Sequence, residues 1–232
     1  MAKATKKTKP VRRGKLIVLD GTDGAGKATQ TDMLVETLQE QGYEVEVADF
    51  PKYGSKSAGP LEEYLAGKYG QLNPSASSIF YAVDRLDASA QLHAWLDEGK
   101  IVVSNRYVTA NAGHQGGKIA DRAERLKFFK WLNNLEYNIF GIPKPDLNVI
   151  LHVPAKVGQA RTLKQNKKDL LSTDLKHLQA AEKSYLEIAT LFPNTRLVEC
   201  TNGKQMLTPQ EVHNQVWEYV RRIALKDFAP EQ

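Results

Sequence analysis

The sequence predicts an α/β fold in which a five-stranded parallel sheet is flanked by helices on both faces. Short apolar, β-branched runs alternate with long amphipathic stretches over five cycles, as in chains whose parallel strands are joined by crossover helices. A length of 232 residues suffices for one sizeable domain, and the hydrophobic fraction of 41% is that of a globular protein.

Five apolar runs have the length and composition of buried strands. They lie at residues 16–19, 45–48, 101–103, 149–153 and 197–198. Because the first run is the sequence LIVL, with no polar residue, we expect it to be covered on both faces of the sheet.

Seven stretches between and after these runs have helical periodicity. They lie at residues 27–41, 60–67, 75–98, 121–140, 155–164, 174–190 and 209–225. Pro74 and Pro209 stand where a helix begins, and Gly42 and Gly99 stand where one ends.

The positive charge of the chain is concentrated at its N-terminus. Six of the 32 basic residues lie within residues 1–13, which contain no acidic residue, and the remaining 26 face 27 acidic residues. We therefore expect a basic, disordered tail at 1–13 and a single domain at 14–232. The tail could contact nucleic acid or anionic lipid, or be a solvated extension. No nucleic-acid binding is expected of the folded core, because its charges balance.

A membrane location is not expected. The longest apolar run is far shorter than the ~20 residues that span a bilayer, and the basic N-terminus lacks the apolar stretch of a signal peptide. Cys200 is the one cysteine and cannot form an internal disulfide, which favours the cytoplasm.

A glycine-rich loop lies between the first strand and the first helix. Its residues are Gly21, Thr22, Asp23, Gly24, Ala25, Gly26, Lys27, Ala28 and Thr29. Glycines allow positive φ angles and close backbone approach, so amide groups and the helix N-terminus can hold phosphate oxygens. Lys27 is placed to reach the β- and γ-phosphates of a nucleotide. The sequence therefore predicts the P-loop NTPase fold, with ATP bound at this loop.

Five further motifs follow the loop in a defined order. They are DFPKY at 49–53, FYAVDR at 80–85, SNRY at 104–107, HQGG at 114–117 and PKPDL at 143–147. Each motif is weak alone, but together they resemble those of the thymidylate kinase family. The resemblance runs from about Gly14 to the last helix, and it implies an ATP-dependent nucleoside monophosphate kinase that acts on dTMP.

The resemblance implies a site for the phosphate and sugar of dTMP. Arg85 and Arg106 correspond to the pair that grips the phosphate, for which the planar guanidinium is suited. Asp23 corresponds to the carboxylate that holds the sugar 3′-hydroxyl, although it can also be a turn residue. Phe50 and Pro51 correspond to a wall of the same pocket.

The thymine ring has its own corresponding residues. Tyr81 matches the aromatic side chain that stacks on the ring, which makes Phe80 a core residue. Gln115 matches the amide that reads the pyrimidine edge. Asn105, beside the phosphate-gripping arginine, stands where the family usually has aspartate.

Each assignment has an alternative that the residues alone leave open. Tyr81 can be a core aromatic, Arg85 can belong to a surface ion pair with a neighbouring aspartate, and Gln115 can be a loop residue. His114 and His152 are expected to be packing or loop histidines. No cluster of histidine and cysteine suggests a zinc site, and no protein metal site is predicted.

A short lid is expected at about 164–173. In the resembling family a catalytic arginine lies in the phosphate loop or in the lid, and here the loop position is Gly24. The cation that stabilises the transferred phosphoryl group is therefore expected from the lid side. The candidates are Arg161, Lys164, Lys167 and Lys168.

Two departures from the family pattern concern magnesium. Ala28 stands where a hydroxyl usually binds Mg²⁺, and Asn105 removes a carboxylate. Mg²⁺ is then expected to be held mainly by ATP phosphates and water, with Thr29 or Asp20 contacting it through water.

These observations predict a kinase that converts dTMP and ATP into dTDP and ADP. One alternative is a kinase for another deoxynucleoside monophosphate, and another is a nucleotide-binding module without turnover. The resemblance also implies a homodimer built through helices.

Overall fold

The computed structural model describes residues 12–164, 174–203 and 205–230. Its centre is a parallel sheet of five strands in the order β2-β3-β1-β4-β5. The strands are β1 (Lys15–Gly21), β2 (Val45–Asp49), β3 (Ile101–Asn105), β4 (Leu147–His152) and β5 (Thr195–Glu199). Each predicted strand overlaps one of them, so the predicted α/β fold with five parallel strands is confirmed. A two-stranded antiparallel hairpin of β6 (Thr201–Asn202) and β7 (Gln205–Met206) was not predicted.

Alternating side chains of β1 enter two separate cores. Ile17 and Leu19 pack into the core on one face of the sheet, and Leu16 and Val18 into the core on the other. All four are fully buried, which explains why this strand carries no polar residue between Lys15 and Asp20. Because β1 pairs in parallel with β3, the carboxyl ends of these two strands lie side by side.

Eight α-helices cover the sheet in the described parts of the chain. They are α1 (Lys27–Glu40), α2 (Gly59–Leu65), α3 (Pro74–Asp97), α4 (Val108–Gly117), α5 (Arg122–Asn133), α6 (Ala155–Lys164), α7 (Leu175–Leu191) and α8 (Pro209–Tyr219). The predicted helices at 121–140 and 209–225 are each divided. In both, the last turns are π-helical, at Asn134–Ile139 and Val220–Ala224.

Helix α4 was not predicted, although it contains the HQGG motif. Glycine disfavours helices, and Gly113, Gly116 and Gly117 hide the helical pattern. Tertiary packing explains them: a β-carbon on Gly113 would lie 2.5 Å from the ring of Tyr185, and one on Gly117 would lie 2.8 Å from the backbone of Ala180. The glycines thus let α7 pack directly against α4.

Side-chain caps begin α3 and α8 but not α1. The Asn73 side chain accepts from the amide of Ala76, and Thr208 and Glu211 form a capping box. At α1 the N-cap is Gly26, with φ of 88° and no side-chain cap. The first amides of α1 are thus left for a ligand.

One expectation needs correction, and two others fall largely outside the described residues. Phe80 is not a core residue: it is half-buried and packs against Tyr64 and Tyr69, with ring centroids 6.1 and 5.2 Å away. Residues 1–11 of the expected tail and 165–173 of the expected lid fall outside the described ranges. Among the helices within those ranges, none is long and apolar enough to cross a membrane.

Candidate active site

A cleft of about 510 Å³ opens at the carboxyl ends of β1, β2 and β3. Ligands of open α/β sheets bind at this edge. Most of the predicted site residues line the cleft: Asp23, Gly24, Gly26, Lys27, Ala28, Thr29, Phe50, Pro51, Tyr81, Arg85, Asn105, Arg106, Gln115 and Arg161. The structure therefore brings together residues that are up to 138 positions apart in the chain, from 23 to 161.

The glycine-rich loop connects β1 to α1 with the conformation that a phosphate cradle needs. Gly24 and Gly26 have φ angles of 78° and 88°, which other residues rarely adopt. The Lys27 ammonium donates to the carbonyl oxygens of Gly21 and Thr22, each at 2.9 Å. Burial, with the nearby positive charge of Arg106, lowers the pKa of Lys27 to about 8. The lysine thus lies inside the loop as a poorly solvated cation.

Three predicted residues of the loop lie behind it and do not line the cleft. They are Gly21, Thr22 and Ala25. Thr22 and Ala25 are buried, and the Thr22 hydroxyl lies 3.4 Å from the carbonyl oxygen of Val153. A β-carbon on Gly21 would lie 2.2 Å from the carbonyl oxygen of Leu151. These residues hold the loop against β4.

Arg106 and Asp23 form an ion pair across the cleft. Arg106 follows β3 directly, has a φ of 66°, and donates its backbone amide to the carbonyl oxygen of Leu19 at 2.9 Å. Its Nη2 bonds to the Asp23 carboxylate, which also lies 3.7 Å from the Lys27 ammonium. Burial opposes ionisation of Asp23, but Arg106 and Lys27 outweigh it and hold its pKa well below the usual range. A phosphate group entering the cleft would compete with Asp23 for both cations.

Arg85 is buried and paired with a residue that the sequence did not indicate. Its Nε and Nη2 donate to the two carboxylate oxygens of Glu136, each at 2.6 Å, and Glu136 is fully buried. The alternative of a surface ion pair is therefore wrong. Burial disfavours the charge of Arg85, but Glu136 outweighs it and raises the pKa. Glu136 takes the single N–H of Nε and one N–H of Nη2, so Nη1 and the second N–H of Nη2 can serve the cleft.

Tyr81, on α3, and Gln115, on α4, both line the cleft. Tyr81 is half-buried, so it is not a fully packed core residue. Gln115 is buried within a helix, not a loop, and its Oε1 accepts from the Ser77 hydroxyl at 2.9 Å. Because Ser77 engages the amide oxygen, the amide nitrogen is the end that can donate into the cleft.

His114 was expected to be a packing or loop residue, and it does pack against His177 and Tyr185. The sequence did not indicate that it also belongs to the site. It lies on α4 in the cleft wall, and its Nε2 is 3.2 Å from Nη1 of Arg106. Burial, and then the charge of Arg106, lower its pKa to about 3 against the attraction of Asp23. His152 lies at the end of β4 and bridges Glu182 and Glu199, 2.9 and 2.6 Å away.

The lid-side candidates differ in position. Arg161 lies on α6 and lines the cleft, whereas Lys164 is exposed at the last residue of that helix. Lys167 and Lys168 belong to the residues that the structure does not describe. Of the described candidates, Arg161 is the one beside the glycine-rich loop.

The oxygen atoms near Asn105 suit a magnesium ion bound with nucleotide. Asn105 donates to Asp49 at 2.9 Å, while its own Oδ1 is buried without a hydrogen-bond partner. Asp49 and Thr29 also line the cleft, and Mg²⁺ prefers such oxygen ligands. Across the described ranges, no group of three or more histidine, cysteine or acidic side chains could hold a metal alone.

Asp20 does not belong to this set of oxygen ligands, contrary to the expectation of a water-mediated contact. It is fully buried and accepts from the hydroxyls of Thr109 and Tyr185 at 2.7 and 2.9 Å. Its carboxylate therefore anchors α4 and α7 to the base of the glycine-rich loop.

Comparisons with known proteins agree on one family. The thymidylate kinase family model matches residues 19–216. The thymidylate kinase of Mycobacterium tuberculosis (strain H37Rv) is 31% identical over 157 residues, which cover 66% of this chain and 73% of that protein. The probable thymidylate kinase of Pyrococcus abyssi is 28% identical over 219 residues, covering 92% and 98%. The solved thymidylate kinase of Candida albicans has the same fold, with a TM-score of 0.72, 22% identity and coverage of 90% and 92%. The chain belongs to the thymidylate kinase family.

Proposed function

We propose that this chain transfers the γ-phosphoryl group of ATP to dTMP, giving dTDP and ADP. One observation carries the proposal: the loop that can hold the phosphates of ATP and an arginine that can hold the phosphate of dTMP lie in the same cleft. Lys27 and the loop amides form the phosphate cradle, and Arg106 faces them across Asp23. Family membership supplies the reaction, since thymidylate kinases use ATP as donor, generally with Mg²⁺.

The reaction needs alignment and charge stabilisation, not a protein nucleophile, because the acceptor phosphate is itself the nucleophile. Lys27 exchanges its carbonyl contacts for phosphate oxygens of ATP. Arg106 exchanges Asp23 for the phosphate of dTMP, and Asp23 then becomes available to the sugar 3′-hydroxyl. Arg161 stabilises negative charge on the group in transfer, with Lys164 and Lys167 as the remaining lid-side candidates.

Magnesium is proposed to bind with ATP beside Asp49, Asn105 and Thr29. When bound, it neutralises charge on the phosphate oxygens of the nucleotide. The carboxylate that Asn105 lacks is supplied from the neighbouring strand by Asp49, which lies within hydrogen-bond distance of the Asn105 amide. Ala28 contributes no ligand.

Selection of thymine is assigned to the residues of α3 and α4 that line the cleft. Tyr81 stacks on the base, and the Gln115 amide nitrogen donates to a pyrimidine carbonyl. Phe50 and Pro51 close the side next to β2, and Nη1 of Arg85 assists Arg106 at the phosphate.

Residues 14–232 are proposed to act as one kinase domain within a homodimer in the cytoplasm. Ile79 and Leu86 are 42% and 37% exposed and, being seven residues apart, lie on one face of α3. Such an apolar stripe is a suitable contact for a second copy. The lone cysteine, Cys200, is buried, in agreement with a reducing compartment. The folded core is proposed not to bind nucleic acid.

A panel of acceptors tests the proposal. ADP release with ATP and Mg²⁺ would be measured against dTMP, dUMP, dCMP, dGMP, AMP and thymidine. We expect dTMP to have the highest kcat/KM and thymidine, which lacks the phosphate for Arg106, to be inert. Preference for another monophosphate would retain the phosphate sites and refute Tyr81 and Gln115 as thymine-selecting residues.

A further inference from the structure

A chain of hydrogen-bond contacts leads from Arg106 to the first turn of α7. Nη1 of Arg106 lies 3.2 Å from Nε2 of His114, and Nδ1 of His114 lies 3.2 Å from Nε2 of His177. The two imidazole rings are stacked, with centroids 5.5 Å apart and an interplanar angle of 16°. The ring of Tyr185 packs perpendicular to that of His114, with centroids 5.7 Å apart and an interplanar angle of 88°.

Arg106 determines which ring nitrogen of His114 carries the proton. A guanidinium only donates, so Nε2 of His114 must be the acceptor and carry no hydrogen. The proton of a neutral His114 is then on Nδ1 and is donated to Nε2 of His177. His177 thus stabilises the tautomer of His114 that Arg106 requires, because it accepts the Nδ1 proton.

The surroundings keep His114 neutral. Arg106 and Lys27 face it from β3 and the glycine-rich loop, and His177 and Tyr185 face it from α7. Within the described part of the chain, Asp23 is the acidic side chain whose charge acts on His114, and it is already paired with Arg106. A second positive charge beside Arg106 in this buried position would be repelled.

Two anchors determine the plane of the Arg106 guanidinium. Asp23 holds Nη2 and His114 holds Nη1, while the backbone is fixed at a φ of 66°. A planar fork binds phosphate well only when its orientation is right. Asp23 is proposed to leave Arg106 for the sugar, which makes His114 the anchor that persists when dTMP is bound.

We propose that His114 and His177 are positioning residues for the acceptor phosphate. His114 orients Arg106 directly, and His177 acts through His114 by fixing its tautomer. The inference rests on the proposed function of Arg106. Neither histidine touches the reacting phosphates in this role.

Two substitutions of His177 distinguish the effect of its hydrogen bond from the effect of its packing. His177→Gln keeps an acceptor near the position of Nε2, whereas His177→Leu has a similar volume without one. We expect His177→Leu to raise KM for dTMP about tenfold, the effect of one lost hydrogen bond, and to leave KM for ATP within about twofold. His177→Gln should restore KM for dTMP to within about threefold of the wild type. His93→Leu, on the far part of α3, should change neither constant.

Three kinetic results would overturn the inference. The first is the same KM for dTMP in His177→Leu and His177→Gln. The second is a His177→Leu variant in which KM for ATP rises as much as KM for dTMP. The third is a His177→Leu variant with wild-type kinetics. If the wild type does not phosphorylate dTMP, the proposed function fails and the tautomer remains testable by itself. In ¹⁵N NMR of the wild type near pH 7, we expect His114 to carry its proton on Nδ1, and His177→Leu to alter this signal. A proton on Nε2 or an imidazolium at His114 would refute the positioning chain.

Discussion

Gly24 of the phosphate loop and Gly158 of α6 are in direct backbone contact. A β-carbon on Gly24 would lie 2.5 Å from the carbonyl oxygen of Gly158, and one on Gly158 would lie 2.7 Å from that of Asp23. No larger side chain fits at position 24, so the loop cannot carry the arginine that some family members place there. The same contact brings Arg161, one turn further along α6, to the cleft.

The contact predicts that Gly158→Ala impairs both stability and turnover. The new methyl group meets backbone, which cannot rotate away, so we expect a loss of about 1–3 kcal/mol and a displaced phosphate loop. Urea unfolding and kcat would be measured together. Gly59→Ala is the matched control, because its β-carbon meets nothing within 4 Å. Equal behaviour of the two variants would refute direct coupling between the loop and α6.

Arg161 is predicted to supply the cation that stabilises the transferred phosphoryl group. Arg161→Ala should lower kcat by roughly 10²–10³-fold, the usual cost of one transition-state charge contact, with little change in KM for dTMP. Lys164→Ala, three residues away but exposed, should stay within about threefold of the wild type. Steady-state kinetics would decide, and a larger loss in the lysine variant would assign the role to Lys164.

Arg106 is predicted to serve the acceptor and not the donor. Arg106→Ala should reduce kcat/KM for dTMP by at least about a hundredfold while the Kd for ATP changes by less than about threefold. Calorimetric titration with ATP and kinetics with varied dTMP would separate the two sites. Arg122→Ala, an exposed arginine paired with Glu187, is the control. Equal losses at both sites would remove the acceptor assignment.

The buried pair of Arg85 and Glu136 is predicted to support the fold as well as the cleft. Glu136→Gln leaves the buried guanidinium uncompensated, which costs about 3–5 kcal/mol of unfolding free energy. Glu124→Gln breaks an exposed pair with Lys127 and should cost less than about 1 kcal/mol. Chemical denaturation of both variants makes the comparison. Similar costs would show that the buried pair is not important for stability.

The lowered pKa of Lys27 predicts that ATP binds more weakly at alkaline pH. Because the pKa of Lys27 is about 8 in the free protein, the lysine loses its charge above that pH and must regain a proton to bind phosphate. The Kd for ATP should rise about tenfold between pH 7 and pH 9. The Kd for dTMP should change far less, since Arg106 stays charged. An ATP affinity that is constant over this range would contradict the assignment.

The parts of this protein that sequence predicts are those specified by local pattern. The strand at 16–19 and the loop at 21–29 combine apolar runs, glycines and one lysine within a short stretch. Helix α4 was not predicted because its glycines disfavour a helix. Their role, close packing against α7, is visible only in the folded structure. Glu136 was not identified because it is 51 residues from its partner Arg85 in the sequence. His177 was not identified because it is 63 residues from His114. A pattern read along the chain does not contain such long-range pairings.

The central claim is that this cleft transfers phosphate despite Ala28 and Asn105. The most direct measurement incubates the protein with dTMP, Mg²⁺ and ATP labelled at the γ-phosphorus, and follows the label. The account predicts labelled dTDP in amounts equal to the ADP formed, with little labelled inorganic phosphate. Binding of both nucleotides without labelled dTDP would contradict it, and would identify the chain as a nucleotide-binding protein without kinase activity.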